Sequence, residues 1–373
     1  MGVDPRRDHS MRIPRPDLSL VMGTPNACNQ CHSDQDARWA LDALREWGIR
    51  FRDTGTHFSR ALMALDQGDV RAVPAVAQLA NDPSAAPIWR ATAMEALGQV
   101  GGREAMQAMS ALLYDDDSII RTSTVRSLDF LPLHQRFQLL SPLLDDQVTS
   151  VRMAVAQSLA GVPLDQLKPD QAKALQAVFD EFLAIQRQNA DMPGAQLQLG
   201  IFHVTRGDAP AAEKAYREAL YLNPQLVPAY LNLADLLRAQ SRDEEARELM
   251  LKALAIAPDH GPTLHALGLL ETRSGEADKA LEYLGKAAAL ESSGTRHRYV
   301  YSIALHDLGK PQQAISQLQA ILREQPGNQE VLLALANYSA ELGRKEQARQ
   351  YARTLTEMAP GNRNYQQLYQ QLQ

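Results

Sequence analysis

The sequence has 373 residues, which is too long for one ordinary globular core, so we expect several domains or an extended repeat array. Aromatic residues make up only 6%, a composition that favours helices packed through small side chains and argues against a β-sandwich. A formal net charge of −6 provides no broad basic surface, which argues against nucleic acid as the main partner.

Membrane and export signals are missing from the sequence. No apolar stretch approaches the roughly 18–20 residues that a spanning helix needs, and Met1–Pro5 does not have the pattern of a signal peptide. The sequence therefore predicts a soluble chain with no membrane span and no export signal of its own.

Residues 1–36 are rich in Pro, Arg, Asp and Asn and lack helical periodicity, which predicts an extended arm with loops. They contain the string Cys28-Asn29-Gln30-Cys31-His32, which holds the only two cysteines of the sequence. Two thiols spaced in this way can add across both vinyl groups of a haem, and the adjacent histidine then binds the iron. We interpret Cys28, Cys31 and His32 as a binding motif for one covalent haem c.

Other uses of this thiol pair stay open. A zinc site needs about four ligands, and no second Cys pair or His pair follows at ligand spacing. A thioredoxin-like redox pair would need a βαβ setting, and a structural disulfide rarely spans two residues. Covalent haem is therefore the favoured interpretation.

The sixth ligand of the iron is open between several residues. His57 lies just beyond the first helix after the motif and could fold back over the haem, whereas His9 precedes the motif and could instead serve an upstream haem. Met11 and Met22 are also within reach along the chain. The remaining histidines fall within the repeats and are interpreted as packing or surface residues: His134, His203, His260, His265, His297 and His306.

Residues 37–167 alternate short amphipathic segments with Gly, Pro and Asp breaks, and three segments superimpose at a period of 31 residues. An apolar residue followed by arginine opens each helix, and a leucine follows at a fixed offset. These positions are Trp89-Arg90 with Leu97, Ile120-Arg121 with Leu128, and Val151-Arg152 with Leu159. Acidic or turn residues precede each helix, where N-caps belong. The pattern resembles HEAT-like repeats.

From Met192 the period becomes 34 residues, and residues 192–360 divide into five units of two helices. A small residue marks the turn between the helices, at Gly207, Ser241, Gly275, Gly309 and Gly343. Alanine marks the close approach of the second helix, at Ala212, Ala246, Ala280, Ala314 and Ala348. Small residues take the matching place on the first helix, at Gly200, Ala234, Gly268, Ser302 and Ala336.

Proline ends four of these units, because it prevents the second helix from continuing. The prolines are Pro224, Pro258, Pro326 and Pro360, and Ser292 takes their place in the third unit, which predicts a looser junction there. The register resembles the tetratricopeptide repeat. Residues 168–191 are then expected to form a connecting helix, and residues 361–373 a C-terminal cap.

Together these patterns predict an all-α fold. It is a right-handed α-solenoid of HEAT-like repeats followed by tetratricopeptide repeats, with an N-terminal extended haem-binding arm. Two stretches, residues 8–18 and 23–28, lead into the haem motif. With them, the chain resembles multihaem cytochromes c that continue into HEAT-like and tetratricopeptide repeats. Those proteins carry a signal peptide and further haem motifs upstream, so we interpret this sequence as part of a longer parent or as one with a misassigned start.

The resemblance implies a c-type cytochrome for electron transfer, fused to a scaffold that binds a protein or peptide and, in a longer parent, further haem domains. The alternative is a tetratricopeptide scaffold with no redox function. An enzyme is disfavoured because no Ser-His-Asp, phosphate-loop, Rossmann or His-Glu-x-x-His string occurs. Candidate partner-binding residues on the concave face of the repeats are Asn232, Asp235, Arg238, His265, Arg273, Tyr299 and Asn337.

Two cellular locations follow from these alternatives. Haem is attached covalently outside the cytoplasmic membrane in bacteria, so a haem-loaded protein is expected in the periplasm or exported. A chain that truly starts at Met1 would stay in the cytoplasm without haem.

Overall fold

The computed structural model describes residues 14–51, 57–66, 69–290 and 294–373. Every regular element in these ranges is helical, and the predicted all-α fold class is confirmed. The chain divides into two compact units, Met1–Phe179 and Asp180–Gln373, called here the N-terminal and the C-terminal unit. In the described ranges no helix is both long enough and apolar enough to span a membrane.

The N-terminal unit consists of short helices joined by tight turns. They are α1 (Pro16–Met22), α2 (Ala27–Cys31), α3 (Ala37–Glu46), α4 (Phe58–Asp66), α5 (Val73–Asn81), α6 (Pro87–Val100), α7 (Gly102–Ser110), α8 (Ser118–Ser127), α9 (Leu133–Leu140) and α10 (Thr149–Ser158). Leu97, Leu128 and Leu159, which recur at one offset in the sequence, are fully buried. The 31-residue period therefore marks the core of this unit.

Two short helices, α1 and α2, lie within residues 16–31, so the prediction of an extended arm is wrong for this part of the chain. Pro16 occupies the first turn of α1, where its fixed φ suits the helix, and Gly23 ends the helix with a φ of 68°. The side chain of Asn26 caps α2 by accepting a hydrogen bond from the backbone N–H of Asn29. Both helices are too short to produce a hydrophobic period in the sequence.

Arginine–aspartate pairs connect the three helices that carry the HEAT-like pattern. Arg90 of α6 donates to the carboxylate of Asp115, and Arg121 of α8 donates to both carboxylate oxygens of Asp146 at 2.8 and 3.0 Å. Arg152 of α10 donates to the backbone carbonyl of Asp146. Burial alone would raise the pKa of Asp146, but the hydrogen bonds from Arg121 and from the backbone N–H of Val148, together with the charges of Arg121 and Arg152, lower that pKa. Each arginine thus ties its helix to an adjoining acidic turn.

Helix pairs make up most of the C-terminal unit. The helix α11 (Pro169–Gln188) begins before the boundary at Asp180, and the last helix is α22 (Arg363–Gln371). The first helices of the five pairs are α12 (Pro193–Thr205), α14 (Val227–Ala239), α16 (Gly261–Arg273), α18 (Thr295–Asp307) and α20 (Gln329–Glu341). The second helices are α13 (Ala209–Leu222), α15 (Asp243–Ile256), α17 (Ala277–Ala289), α19 (Pro311–Glu324) and α21 (Lys345–Met358).

The two helices of each pair approach closely at the small residues of the repeat. An added Cβ at Gly200 would lie 2.2 Å from the ring of Tyr216, and one at Gly268 would lie 2.5 Å from Cγ of Leu284. The alanines on the second helices are fully buried; they are Ala212, Ala246, Ala280, Ala314 and Ala348. Larger side chains at these positions would force the paired helices apart.

The turns within the pairs require a left-handed backbone. Gly207, Gly275, Gly309 and Gly343 all have positive φ, and the serine at the equivalent position, Ser241, has a φ of 61°. Among the described residues, Ser241 is the one non-glycine residue with a positive φ. The turn geometry therefore explains why a small residue recurs every 34 residues.

Each second helix that precedes a proline ends two residues before it. The last helical residues are Leu222, Ile256, Glu324 and Met358, ahead of Pro224, Pro258, Pro326 and Pro360. Ser292, the residue behind the prediction of a looser third junction, lies outside the described residues.

The substitution Gly268→Val is expected to lower the free energy of unfolding by roughly 1–3 kcal/mol, because its side chain would overlap Leu284. Gly194→Val is the matched control, since nothing lies within 4 Å of an added Cβ at Gly194 in the first turn of α12. Its effect should stay within about 0.5 kcal/mol. Urea unfolding followed by circular dichroism measures both, and equal losses would contradict close helix packing at Gly268.

Candidate functional site

A cavity of about 300 Å³ lies beside the two cysteines in the N-terminal unit. Its walls come from α2, α3 and adjoining residues: Ala27, Cys28, Cys31, His32, Trp39, Ala40, Ala43, Leu44 and Trp47. Both thiols are free; Cys28 is half-buried and Cys31 is exposed. Ala40, Ala43, Leu44 and Trp47 follow the helical spacing that places side chains on one face. The structure therefore brings the three residues of the predicted haem motif to one largely apolar cavity.

A network of side-chain amides holds the turn that carries the thiols. Asn26 donates to the hydroxyl of Ser19 at 3.2 Å and to Oδ1 of Asn29 at 2.7 Å. Asn29 in turn donates to the backbone carbonyl of Gln35 at 2.8 Å. Because Ser19 belongs to α1 and Gln35 directly precedes the N-cap of α3, the motif is fixed on both sides. No pattern in the sequence predicts this network, although Asn26 precedes α2 at a typical N-cap position.

His32 lies at the solvent edge of this cavity. Its ring is exposed and lies 4.8 Å from the ring of Trp39, measured between centroids, with an interplanar angle of 53°. Trp47, at the end of α3, is 75% exposed, so the cavity opens towards solvent between apolar side chains. An exposed tryptophan beside two free thiols is an unusual surface feature.

The other predicted iron ligands are not brought to this cavity in the described structure. His57 is stacked on Phe58 with ring centroids 4.4 Å apart, its Nδ1 contacts the hydroxyl of Ser59, and it is not among the residues that line the cavity. His9 lies outside the described residues. Within the described ranges no group of three or more His, Cys, Asp and Glu side chains is arranged to hold a metal ion.

The second candidate site is a surface made by the five first helices of the C-terminal unit. Each of these helices has 13 residues, and the side chains at positions 5, 9, 12 and 13 share one helical face. All are exposed or half-buried. We call this set the first-helix surface: Leu197, Ile201, Val204, Thr205, Leu231, Asp235, Arg238, Ala239, His265, Leu269, Thr272, Arg273, Tyr299, Ile303, His306, Asp307, Leu333, Asn337, Ala340 and Glu341.

The structure collects most of the predicted partner-binding residues on this surface. Asp235, Arg238, His265, Arg273, Tyr299 and Asn337 belong to it. Asn232 lies one position away from the shared face, is half-buried, and hydrogen-bonds with the hydroxyl of Tyr216. Burial raises the pKa of Tyr216 to about 12, so this hydroxyl stays protonated. We interpret Asn232 as a residue that supports the surface from its edge.

Charges in the middle of the first-helix surface are balanced within the chain. Arg238 donates to Asp235 at 3.2 Å, and the two side chains are 43% and 59% exposed. Arg273 donates to Asp243 at the start of α15. Exposed pairs of this kind contribute only about 0–1 kcal/mol, so a binding partner can compete for them.

Exposed apolar side chains also lie on this surface, and none of them is among the predicted partner-binding residues. Ile201 and Val204 of α12 are 40% and 43% exposed, and Leu269 of α16 is 46% exposed. The sequence period does not separate the buried face of a helix from an adjoining open one, so it does not identify exposed aliphatic residues. The surface is therefore less polar than predicted.

Two histidines on neighbouring first helices lie against each other. The rings of His265 and His297 have centroids 4.9 Å apart, and the buried Nδ1 atom of each has no hydrogen-bond partner among the described residues. Burial lowers the pKa of both imidazoles, and the nearby Arg296 lowers it further. Both rings are therefore neutral near pH 7, as their contact between α16 and α18 requires.

His306 has the opposite electrostatic setting. Its ring is stacked on Tyr338 with centroids 3.6 Å apart, and its nitrogens contact Glu341 at 2.6 Å and Asp307 at 3.2 Å. Burial opposes protonation of His306, but the hydrogen bonds to Asp307 and Glu341 outweigh it and raise its pKa. These contacts join α18 to α20.

Repeat-family models match both units of the chain. Models described as tetratricopeptide repeat match residues 225–293, 265–328 and 305–372, and one described as HEAT repeats matches residues 57–129. The chain therefore contains HEAT repeats followed by tetratricopeptide repeats, as the residue patterns predicted. No match supports the predicted resemblance to multihaem cytochromes c.

Two curated proteins share sequence with part of the chain. The human protein O-mannosyl-transferase TMTC3 is 27% identical over 161 residues, 39% of this chain and 18% of that protein. Cellulose synthase operon protein C of Xanthomonas axonopodis pv. citri (strain 306) is 29% identical over 155 residues, 38% of this chain and 10% of that protein. The alignments thus span less than a fifth of either relative.

Two solved structures are each similar to about half of the chain. YrrB, described as a TPR protein with an unusual peptide-binding site, is 19% identical with a TM-score of 0.41, covering 50% of this chain and 96% of its own. The pilF protein of Pseudomonas aeruginosa is 24% identical with a TM-score of 0.42, covering 50% and 84%.

The contacts of His306 predict a pH-dependent stability of the last two helix pairs. Because the folded pKa is raised, the stabilisation is fully present below the unfolded value of about 6.5 and is lost as the pH rises through the folded pKa. Glu341→Gln should therefore lower the melting temperature more at pH 5.5 than at pH 8.

Glu282→Gln is the control for this prediction, because Glu282 is 58% exposed and pairs with Lys286, which does not titrate in this range. It should have a small and equal effect at both pH values. An equal loss for Glu341→Gln at pH 5.5 and pH 8, measured by circular dichroism, would contradict the assigned role of His306.

Proposed function

We propose that the chain is a protein-interaction scaffold whose first-helix surface binds a peptide or protein segment. The observation that carries this proposal is the face shared by all five first helices, on which every side chain is exposed or half-buried. This is the predicted concave face of the repeats. The presence of tetratricopeptide repeats in this unit supports the proposal, since such repeats stack into long binding surfaces.

The chemistry of the surface suits an extended chain. Asn337 offers an amide donor and an amide acceptor that can satisfy peptide groups, and Asn232 supports the edge of the surface through its bond to Tyr216. Asp235 and Arg238 can exchange their weak mutual bond for bonds to a partner. Tyr299 and His265 add half-buried rings against which apolar side chains can pack. These residues, with Arg273, are the contacts we assign to the partner.

A random peptide library displayed on phage tests this function directly. We expect selection on the full chain to enrich specific peptides, and Asp235→Lys to weaken their binding by about tenfold, because it replaces a surface carboxylate by a cation beside Arg238. Glu282→Lys is the matched control, since Glu282 is as exposed as Asp235, pairs within its own helix, and lies on the second helix α17. Failure to enrich any peptide would contradict the scaffold function.

A second function is favoured by the cavity at the thiol pair. We infer that Cys28 and Cys31 attach one haem c covalently and that His32 binds its iron. The fit rests on two free thiols and a histidine facing one cavity whose remaining wall is apolar, with the small side chains of Ala40 and Ala43 leaving room beside the motif.

Each residue has a defined part in this second function. The sulfur of Cys28 and that of Cys31 would each bond to a carbon of a vinyl group, while the thiol proton passes to the neighbouring carbon, so no oxidant is needed. When bound, haem supplies one-electron chemistry. Asn26 and Asn29 would hold the motif in place, and His9 or His57 is the proposed sixth ligand. A haem-loaded protein would belong in the periplasm or be exported, alongside further haem domains if the parent is longer.

Co-expression with a cytochrome c maturation system, behind an added signal peptide, tests haem attachment. We expect the intact mass to rise by one haem and a pyridine haemochrome spectrum with a c-type α-band. The double variant Cys28→Ser/Cys31→Ser should keep its unmodified mass, because it has no thiol to form a thioether. An unmodified parent chain, under conditions that load a control cytochrome, would contradict the haem function and leave the scaffold function intact.

A further inference from the structure

The two ends of the first-helix surface differ in charge. The helix α12 (Pro193–Thr205) contains no Asp, Glu, Lys or Arg, whereas each of the other four first helices contains at least two such residues. His203, the titratable residue of α12, has its pKa lowered by burial and is therefore neutral near pH 7. The surface thus begins on an uncharged helix.

This uncharged end exposes aliphatic side chains. Ile201 and Val204 occupy positions 9 and 12 of α12, one turn apart on the open face, and they are 40% and 43% exposed. Met192, just before the helix, is 44% exposed. Leu197 and Leu231 lie half-buried on the same face. Covering these side chains with apolar atoms removes them from water without burying an unpaired charge.

The opposite end carries excess negative charge. Asp307 and Glu341 both contact His306, and their side chains are 66% and 57% exposed. One imidazole can neutralise only one of the two carboxylates, and only when it is protonated, so at least one negative charge remains. Glu330, in the first turn of α20, is exposed and lies near Tyr299, but the exposed Arg296 at the equivalent position of α18 has the opposite charge. The excess negative charge therefore rests on Asp307 and Glu341.

The middle of the surface imposes no net charge on a ligand. Arg238 is paired with Asp235, and Arg273 is paired with Asp243. An occupant that complements the whole surface is therefore aliphatic at one end and basic at the other.

We propose that the first-helix surface binds an extended peptide segment whose aliphatic residues lie on α12 and whose lysine or arginine residues lie between α18 and α20. This inference rests on the proposed scaffold function and specifies its partner. Neighbouring packed helices lie about 8–10 Å apart, so the four steps from α12 to α20 span roughly 32–40 Å. An extended chain covers that distance with about ten to twelve residues.

Selection from a random library of peptides about twelve residues long tests the proposal on the full chain. The expected result is enrichment of peptides with aliphatic residues at one end and Lys or Arg at the other. Ile201→Glu should weaken binding by about tenfold or more, because it places a charge where aliphatic side chains pack. Glu341→Lys should weaken binding by about tenfold through repulsion of the basic end, and adding salt should reduce this effect.

Matched controls keep the test specific to the surface. Leu251→Glu alters an apolar residue of 43% exposure on the second helix α15, and Glu357→Lys reverses a carboxylate of 61% exposure on α21. Neither should change binding, and circular dichroism should show all four variants folded. If Ile201→Glu and Glu341→Lys are both folded and neither weakens peptide binding, the result therefore counts against the proposal.

The possible outcomes separate this inference from the scaffold function. Enriched peptides that are acidic, or whose binding is unchanged by both Ile201→Glu and Glu341→Lys, would overturn the assignment of the partner while the scaffold function stands. A library that yields no specific peptide would overturn both.

Discussion

The close approach of two helices at a small side chain is the constraint on which the C-terminal unit depends. Where Gly268 meets Leu284, even one added carbon would collide, so each pair can pack in one arrangement. The buried alanines of the second helices impose the same requirement in all five pairs. Because the packed face of each first helix is fixed in this way, the opposite face stays open at the same register positions. The proposed binding surface is thus a consequence of helix packing.

Residues with a local steric role could be predicted from the sequence. Glycine at the turns and proline beyond the second helices recur because backbone conformation demands them, so their period identifies the tetratricopeptide repeats. The partner of a side chain was harder to predict. Acidic residues before the HEAT-like helices were expected to be N-caps, but the N-cap of α10 is Val148 without a side-chain cap. The carboxylate of Asp146 instead binds Arg121, and this pair links residues 25 positions apart. The helices α1 and α2 were missed because a hydrophobic period needs more than one or two turns.

The candidate sites also combine features that a few adjacent residues predict with features that depend on long-range packing. The thiol pair was recognisable from five residues, because the proposed haem attachment needs only residues that are adjacent in the chain. The cavity beside it could not be predicted, because it forms where the small side chains of α3 pack near Cys28 and Cys31 in the folded chain. On the first-helix surface, polar candidates such as Asp235 are exposed, and so are Ile201 and Val204, which the sequence did not single out as candidates. Long-range packing decides which apolar residues remain open.

Hydrogen exchange with and without a peptide selected on the chain tests the central claim most directly. If the first helices form the binding surface, slower exchange on binding should concentrate in α12, α14, α16, α18 and α20 and leave α13, α15, α17, α19 and α21 unchanged. Protection confined to the second helices, or to the N-terminal unit, would contradict the account.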